Sequence, residues 1–285
     1  MTNLISCQGL SKTFQHFRLD GINTEIPQGY VTGIIGPNGS GKTTFIKLIL
    51  SLIEPDQGQI YYKDQAVQST TGQYLQDIGI IMDEPILAKD WSGDDINDVM
   101  QIGYQRWQSE IYYQLLNEYG INPSLKVKEL SRGMTIKLML AIALSHQANT
   151  LILDEPTSGL DPIFREELTD LLQDFVQDEA HSVVFSTHIT ADLEAIADYL
   201  IYIQDGQLIF QGTKDDLLAK YLLVKGPLDS LADNHLPPAV ACKQMNYHFE
   251  ALIESKYQQA LPQDWHASQP SIDQIMIYLR RKHKR

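Results

Sequence analysis

The chain of 285 residues is 43% hydrophobic and 20% charged, ordinary globular values that allow a sizeable buried core. Its formal net charge of -14 argues against DNA or RNA as the main partner, since nucleic acids are met by clustered cations. Two cysteines, Cys7 and Cys242, form no CxxC pair and read as reduced thiols. The first residues, Met1 to Ser6, lack the basic-then-apolar pattern of a secretory signal. No apolar run approaches the roughly 20 residues that a bilayer crossing needs. The longest candidate, Leu138 to Leu153, is broken by Ser145, His146, Gln147, Asn149 and Thr150.

Val31 to Ile35 is a short apolar run followed by a glycine-rich loop and then by Phe45, Ile46, Leu48, Ile49 and Leu52 at helical spacing. The prediction is strand, loop, helix. Before this segment, and again from about Gly58 to Ile81, alternation and turn residues predict antiparallel strands, Gln59-Ile60-Tyr61-Tyr62 among them. Residues from about Trp91 to Leu144 have a mostly helical pattern. Buried strands follow at Thr150 to Leu153, ending in Asp154-Glu155-Pro156, and at Ser182 to Ser186, ending in Thr187-His188. Short apolar strands that each precede a helix predict a parallel sheet covered by helices. From about Tyr221 prolines punctuate short strands, Tyr221 to Lys225 and Val240 to Met245, and a helix runs from Ser271 to Arg281. Residues 221–285 therefore read as a small α+β appendage. Its basic end, Arg280 to Arg285, reads as a solvated tail, with contact to acidic lipid headgroups as the alternative.

Gly36-Pro37-Asn38-Gly39-Ser40-Gly41-Lys42-Thr43 fits G-x-x-x-x-G-K-[ST] between a strand and a helix. Glycines let the backbone N–H groups curl around phosphates, and the helix start adds about half a positive charge. Lys42 reaches the β- and γ-phosphates, Thr43 is placed to ligate Mg²⁺, and Thr44 adds a contact to the α-phosphate. The strand end Asp154-Glu155 supplies two acids with separate tasks. Asp154 holds the metal through water, and Glu155 is the candidate general base for an attacking water.

With these residues in hand, positions 3–220 resemble the ATP-binding subunit of an ABC transporter. The resemblance implies an α/β fold: a P-loop NTPase core with an antiparallel β-subdomain and a helical subdomain at about 86–144. Leu130-Ser131-Arg132-Gly133-Met134 resembles that family's signature, usually LSGGQ, with Arg132 and Met134 departing from it. Ser131 and Gly133 are then implied to bind the γ-phosphate held by the phosphate loop of a second, head-to-tail copy. A glycine lets the backbone approach the anion closely. Ser158-Gly159-Leu160-Asp161 resembles the loop that bridges to the partner, with Asp161 making the bridge. His188 matches the switch histidine on the γ-phosphate, whereas His146 and His181 read as structural. Phe14 falls where an aromatic stacks on adenine; Phe17 is the alternative, and a core role for either stays open. Asp83 stands where the family usually has a glutamine that touches Mg²⁺ and the attacking water.

These variants, together with the C-terminal ending, look most like bacterial ABC-2-type exporters. The implied function is an ATP-binding and ATP-hydrolysing subunit that closes as a homodimer or heterodimer and powers a separate integral-membrane permease. That places it on the inner face of the cell membrane. Two alternatives are a soluble ABC-type ATPase acting on ribosomes or chromosomes, and a nucleotide-binding subunit with little hydrolysis.

Overall fold

The computed structural model describes residues 2–68, 72–231 and 238–282. In chain order the elements of the first part are β1 (Asn3–Thr13), β2 (Arg18–Pro27), β3 (Val31–Ile35), α1 (Lys42–Ile49), β4 (Gln57–Tyr62), β5 (Gln65–Ala66) and β6 (Ile78–Ile81). Next come α2 (Gly93–Gly103), α3 (Ser109–Glu118), α4 (Arg132–Ser145), β7 (Thr150–Asp154), α5 (Pro162–Phe175), β8 (Ser182–Thr187), α6 (Thr190–Ile196), β9 (Tyr199–Gln204) and β10 (Gln207–Thr213). The chain ends with α7 (Lys214–Lys220), β11 (Tyr221–Pro227), β12 (Ala239–Gln244), β13 (His248–Glu254), β14 (His266–Ser268) and α8 (Ile272–Lys282). Two compact units result, Met1–Gln211 and Gly212–Arg285. The division falls ahead of residue 220, so α7 groups with the appendage.

In the first unit an antiparallel sheet has the order β2-β1-β4-β5, and a six-stranded sheet has the order β10-β9-β3-β8-β7-β6. Every residue of β3, β7 and β8 is buried. This is why these strands read as unbroken apolar runs rather than alternating ones. β6 corrects an expectation: it lies within the stretch predicted antiparallel, yet it pairs in parallel with β7. Its residues Ile78, Gly79 and Ile81 are buried, which is the pattern of a strand covered on both faces.

The parallel register aligns the strand ends. Ile35 pairs with Thr187, Asp154 with Ser186, and Ile81 with Leu153. The loops after β3, β6, β7 and β8 therefore leave the same edge of the sheet, where ligands of open α/β sheets bind.

Between β6 and β7 lies the helical segment. α2 opens on a capping box: Ser92 Oγ accepts from Asp95 N, and Asp95 Oδ2 accepts from Ser92 N at 2.8 Å. α4 buries residues on all its faces, including Ile136, Leu138, Met139 and Ile142, and packs against β6 and α3. Gly79 permits that approach. A Cβ there would lie 2.4 Å from Ala143 Cβ and 2.7 Å from Leu151 Cδ2.

The second unit is an antiparallel sheet of order β12-β13-β11-β14 with α8 against β12 and β13. Its core gathers Val224, Phe249, Ala251, Ile253 and Trp265, with Phe249 and Trp265 edge to face at 4.7 Å. Residues 283–285 of the basic end, and Pro237, lie outside the described residues. Among the described residues no helix is long and apolar enough to cross a membrane.

Gly79→Ala should lower stability by about 1–3 kcal/mol through overpacking at the β6–α4 contact. Chemical denaturation checks this, and an unchanged midpoint would mean that α4 does not sit this close.

Candidate nucleotide site

The loop from Gly36 to Gly41 joins β3 to α1 and curls through two left-handed glycines, Gly39 with φ 78° and Gly41 with φ 112°. At Gly36 no other residue fits, because a Cβ would fall 2.1 Å from the Ile203 carbonyl oxygen. Helix α1 has no side-chain cap and no acid in its first turn. Its leading N–H groups are thus left to an anion. The Ser40 hydroxyl is buried with no hydrogen-bond partner among the described residues, a second polar group in the loop that a ligand would satisfy. Lys42 is only 5% exposed. Its Nζ donates to the Gly36 carbonyl at 2.8 Å and forms an ion pair with Glu155 Oε1 at 3.1 Å.

Strand β7 delivers two carboxylates in sequence. Asp154 is buried and accepts from Ser186 Oγ at 2.6 Å. Burial pushes its carboxyl pKa up; hydrogen bonds from Ser186 and Thr43 pull it back, and the charges of Glu155 and Asp83 push it up further. Glu155 turns out of the strand in the left-handed region, φ 48°. That backbone costs about 1–3 kcal/mol for a residue with a side chain. Its N–H is anchored by the Ser186 carbonyl at 3.2 Å and Ser186 Oγ at 3.0 Å. Its carboxylate then spans Lys42 and His188, with Oε2 2.7 Å from His188 Nδ1.

A cavity of about 600 Å³ opens over this group, walled by Asn38 to Thr44, Asp83, Glu155, Ser158 and His188, with His16 and Phe17 also on its wall. The structure thus brings Asn38 to Thr44, Asp83, Glu155 and His188 to one cavity, and Asp154 lies buried beside them without reaching its wall. It does not bring Phe14 to the cavity. The Phe14 N–H donates to the Phe17 carbonyl at 2.7 Å, and this turn puts Phe17, not Phe14, over Gly41. Phe14 is 45% exposed, with its ring 6.5 Å from that of Phe17.

Ser131, Gly133 and Asp161 do not line the cavity either. Ser131 caps α4, accepting from Met134 N at 3.3 Å, and Asp161 caps α5, accepting from the N–H groups of Ile163 and Phe164. His146 stacks on Tyr104 and His181 on Phe175.

Two contributors were not foreseen. Ser186 serves both acids, and its placement follows from its register opposite Asp154. Asp192, 5% exposed, accepts from Thr157 Oγ1 at 2.6 Å and from Thr187 Oγ1 at 3.3 Å, and pairs with Arg165. It ties the loop after β7 to the loop after β8, a long-range link with no local pattern to announce it.

A phosphate loop feeding a helix at the edge of a parallel sheet, with acids at neighbouring strand ends, defines a P-loop nucleoside-triphosphatase. A family model described as ABC transporter matches residues 19–158. The lantibiotic transport ATP-binding protein SrtF of Streptococcus pyogenes is 34% identical over 215 residues, covering 74% of this chain and 92% of that protein. The bacitracin transport ATP-binding protein BcrA of Bacillus licheniformis is 30% identical over 214 residues, 73% of this chain and 69% of that one. A solved ATP-binding subunit of an ABC transporter superposes with a TM-score of 0.67 at 26% identity, covering 75% of this chain and 91% of that one. The dimeric ATP-binding cassette MJ0796, solved with ADP and Pi, shares the fold with a TM-score of 0.65 at 21% identity, over 73% of this chain and 98% of its own. The chain belongs to the ABC transporter family and is an ATP-binding, ATP-hydrolysing member of it.

Asp154→Asn should raise stability near neutral pH while weakening nucleotide hydrolysis. The folded carboxyl has a raised pKa, so the folded protein binds more protons than the unfolded chain between the ordinary value and the raised one. Wild-type stability therefore falls as pH rises through that window. The gain from the asparagine should shrink as pH falls below it, which denaturation midpoints across acid to neutral pH will read.

Proposed function

We propose that the chain powers a separate membrane permease, with ATP held between two copies. The observation that carries the reading is the convergence of Lys42, Glu155 and His188, drawn from three strand ends, on one cavity. Phosphates approach the N–H groups of the loop and the start of α1, Gly39 and Gly41 to Thr44, and compete for Lys42, whose ammonium now rests on the Gly36 carbonyl and Glu155. Glu155 so relieved takes a proton from water, and His188 holds the γ-phosphate side of the cavity. Phe17, with His16 beside it, is better placed than Phe14 to meet the base.

Mg²⁺ fits as an ion that arrives with the nucleotide. Among the described residues no group of three or more His, Cys, Asp or Glu converges as a cage. Mg²⁺ is commonly bound through one or two carboxylates plus substrate phosphates. Thr43, Asp154 and Asp83 would hold it, and it would neutralise charge between the phosphates.

Gly133 supports a shared site. A Cβ there would make only ordinary contacts, 3.6 Å to Phe164 Cδ1 and 3.9 Å to Leu160 Cδ2. Packing inside the chain does not demand glycine, and glycine costs a helix about 0.8–1 kcal/mol against alanine. The demand then comes from outside: Ser131 and Gly133 face the γ-phosphate on a partner, and Asp161 faces the partner's loop. The dimeric state of MJ0796 points the same way. The likeness to SrtF and BcrA, lantibiotic and bacitracin transport ATP-binding proteins, supports a transport role, and the chain would lie on the inner membrane face through its permease. The net charge of -14 favours this reading over action on nucleic acid.

Glu155→Gln should cut turnover by a factor on the order of 10²–10⁴, the usual share of a general base, while ATP binding persists. Retention of the wild-type rate would remove Glu155 from that role. Gly133→Ala should keep stability or raise it by up to about 1 kcal/mol, read from chemical denaturation, and still depress hydrolysis. If stability collapses instead, the glycine is structural.

A further inference from the structure

Two departures from the family pattern meet in space. Arg132 Nη2 lies 2.6 Å from Asp83 Oδ1. Arg132 Nε donates to the Ser158 carbonyl at 2.5 Å, and Nη2 donates to the Glu155 carbonyl at 3.3 Å. The side chain runs across Gly159, where a Cβ would stand 3.4 Å from Arg132 Cδ. One guanidinium thus serves three acceptors, and all three belong to residues that wall the nucleotide cavity. Only a planar fork with several N–H donors can do this.

The Glu155 carbonyl is the contact with consequences. Its residue sits in the left-handed region, so its peptide groups must be held from both sides to keep that conformation. Ser186 holds the N–H side. The carbonyl side is held by Arg132 and by the Ser158 N–H, which donates to the same oxygen at 3.2 Å. The carboxylate between Lys42 and His188 is aimed by these anchors, of which Arg132 is the one supplied by a side chain on the carbonyl side.

Arg132 and Asp83 are 37% and 47% exposed, and ion pairs this open contribute little to stability. Their worth is geometric. Asp83 adds a negative charge to a wall that already carries Glu155, with Asp154 buried close enough to feel both, and the Arg132 cation offsets it.

We propose that Arg132 is a positioning residue for Glu155 in its own chain, fixing the Glu155 and Ser158 carbonyls with Asp83 as its counter-ion. The same residue that opens the signature helix α4 thereby steadies the water-activating carboxylate of its own site. This rests on the reading of Glu155 as general base.

The test is steady-state ATP hydrolysis by the full chain, with denaturation midpoints and binding of a fluorescent ATP analogue in EDTA measured on the same samples. Arg132→Ala should lower kcat about 10- to 100-fold with KM and analogue affinity within about twofold, the signature of a lost transition-state interaction. The midpoint should hold. Arg132→Lys should recover only part of kcat, since a single ammonium cannot reach three acceptors. In a Glu155→Gln background Arg132→Ala should cost nothing further. The proposal is overturned if kcat is kept, if the midpoint collapses with it, or if KM rises alone as for a phosphate contact to a partner. It is overturned equally if the loss repeats in the Glu155→Gln background. A slow Glu155→Gln with an additive Arg132→Ala sinks only the positioning role. A fully active Glu155→Gln sinks the base assignment and this inference together.

Discussion

The ion pair between Lys42 and Glu155 is the contact on which the rest of the site is organised. It joins the first residue of α1 to the residue that leaves β7, at 3.1 Å and nearly out of water. Two groups so distant in sequence meet because β3, β8 and β7 are neighbours in parallel register and end at one edge. A slip of that register would turn Asp154 and Ser186 away from each other and aim Glu155 elsewhere. Close packing at single positions opposes such a slip: a Cβ at Gly33 of β3 would lie 2.2 Å from Leu193 Cδ2, and one at Gly79 of β6 2.4 Å from Ala143 Cβ.

The site concentrates features that oppose stability. Asp154 carries a carboxyl into a buried position that favours its neutral form. Glu155 adopts a left-handed backbone, and the Ser40 hydroxyl is buried without a partner among the described residues. Each of these gains a purpose if phosphates and a cation enter the cavity. Strain of this kind persists where the surrounding fold over-determines it, and here Ser186, Ser158 and Arg132 supply the restraint. Gly133 is the converse case, a helix-weakening residue for which the chain's own packing shows no need.

Much of the core was legible in the sequence because its signals are local. The phosphate loop needs glycines and Lys42-Thr43 in fixed order, and the apolar runs before Gly36, Asp154 and Thr187 mark covered strands. The parallel pairing of β6 was not legible: Ile78-Gly79-Ile80-Ile81 is too short to show its partner, and turn residues before it suggested a hairpin texture. β13 and β14 of the second unit also escaped notice, since Phe249, Ala251 and Ile253 count as one buried face only once β11 is beside them. Within the site, Phe14 and Phe17 could not be separated by spacing. A turn closed by one backbone hydrogen bond decides between them. Arg132 was visible only as a departure, because its acceptors lie in two separate loops, Asp83 after β6 and Glu155 and Ser158 after β7.

The central claim is that one nucleotide is enclosed by two copies, the phosphate loop of one and the signature helix of the other. The direct measurement is crosslinking between two populations, one carrying Asn38→Cys and the other Ser131→Cys. Cys242 is replaced by serine in both, and the buried Cys7 is retained. With ATP present and Glu155→Gln slowing turnover, a disulfide between the two populations should form, and without nucleotide it should not. Failure to crosslink at saturating ATP, with ATP binding verified on the same samples, would contradict the shared site.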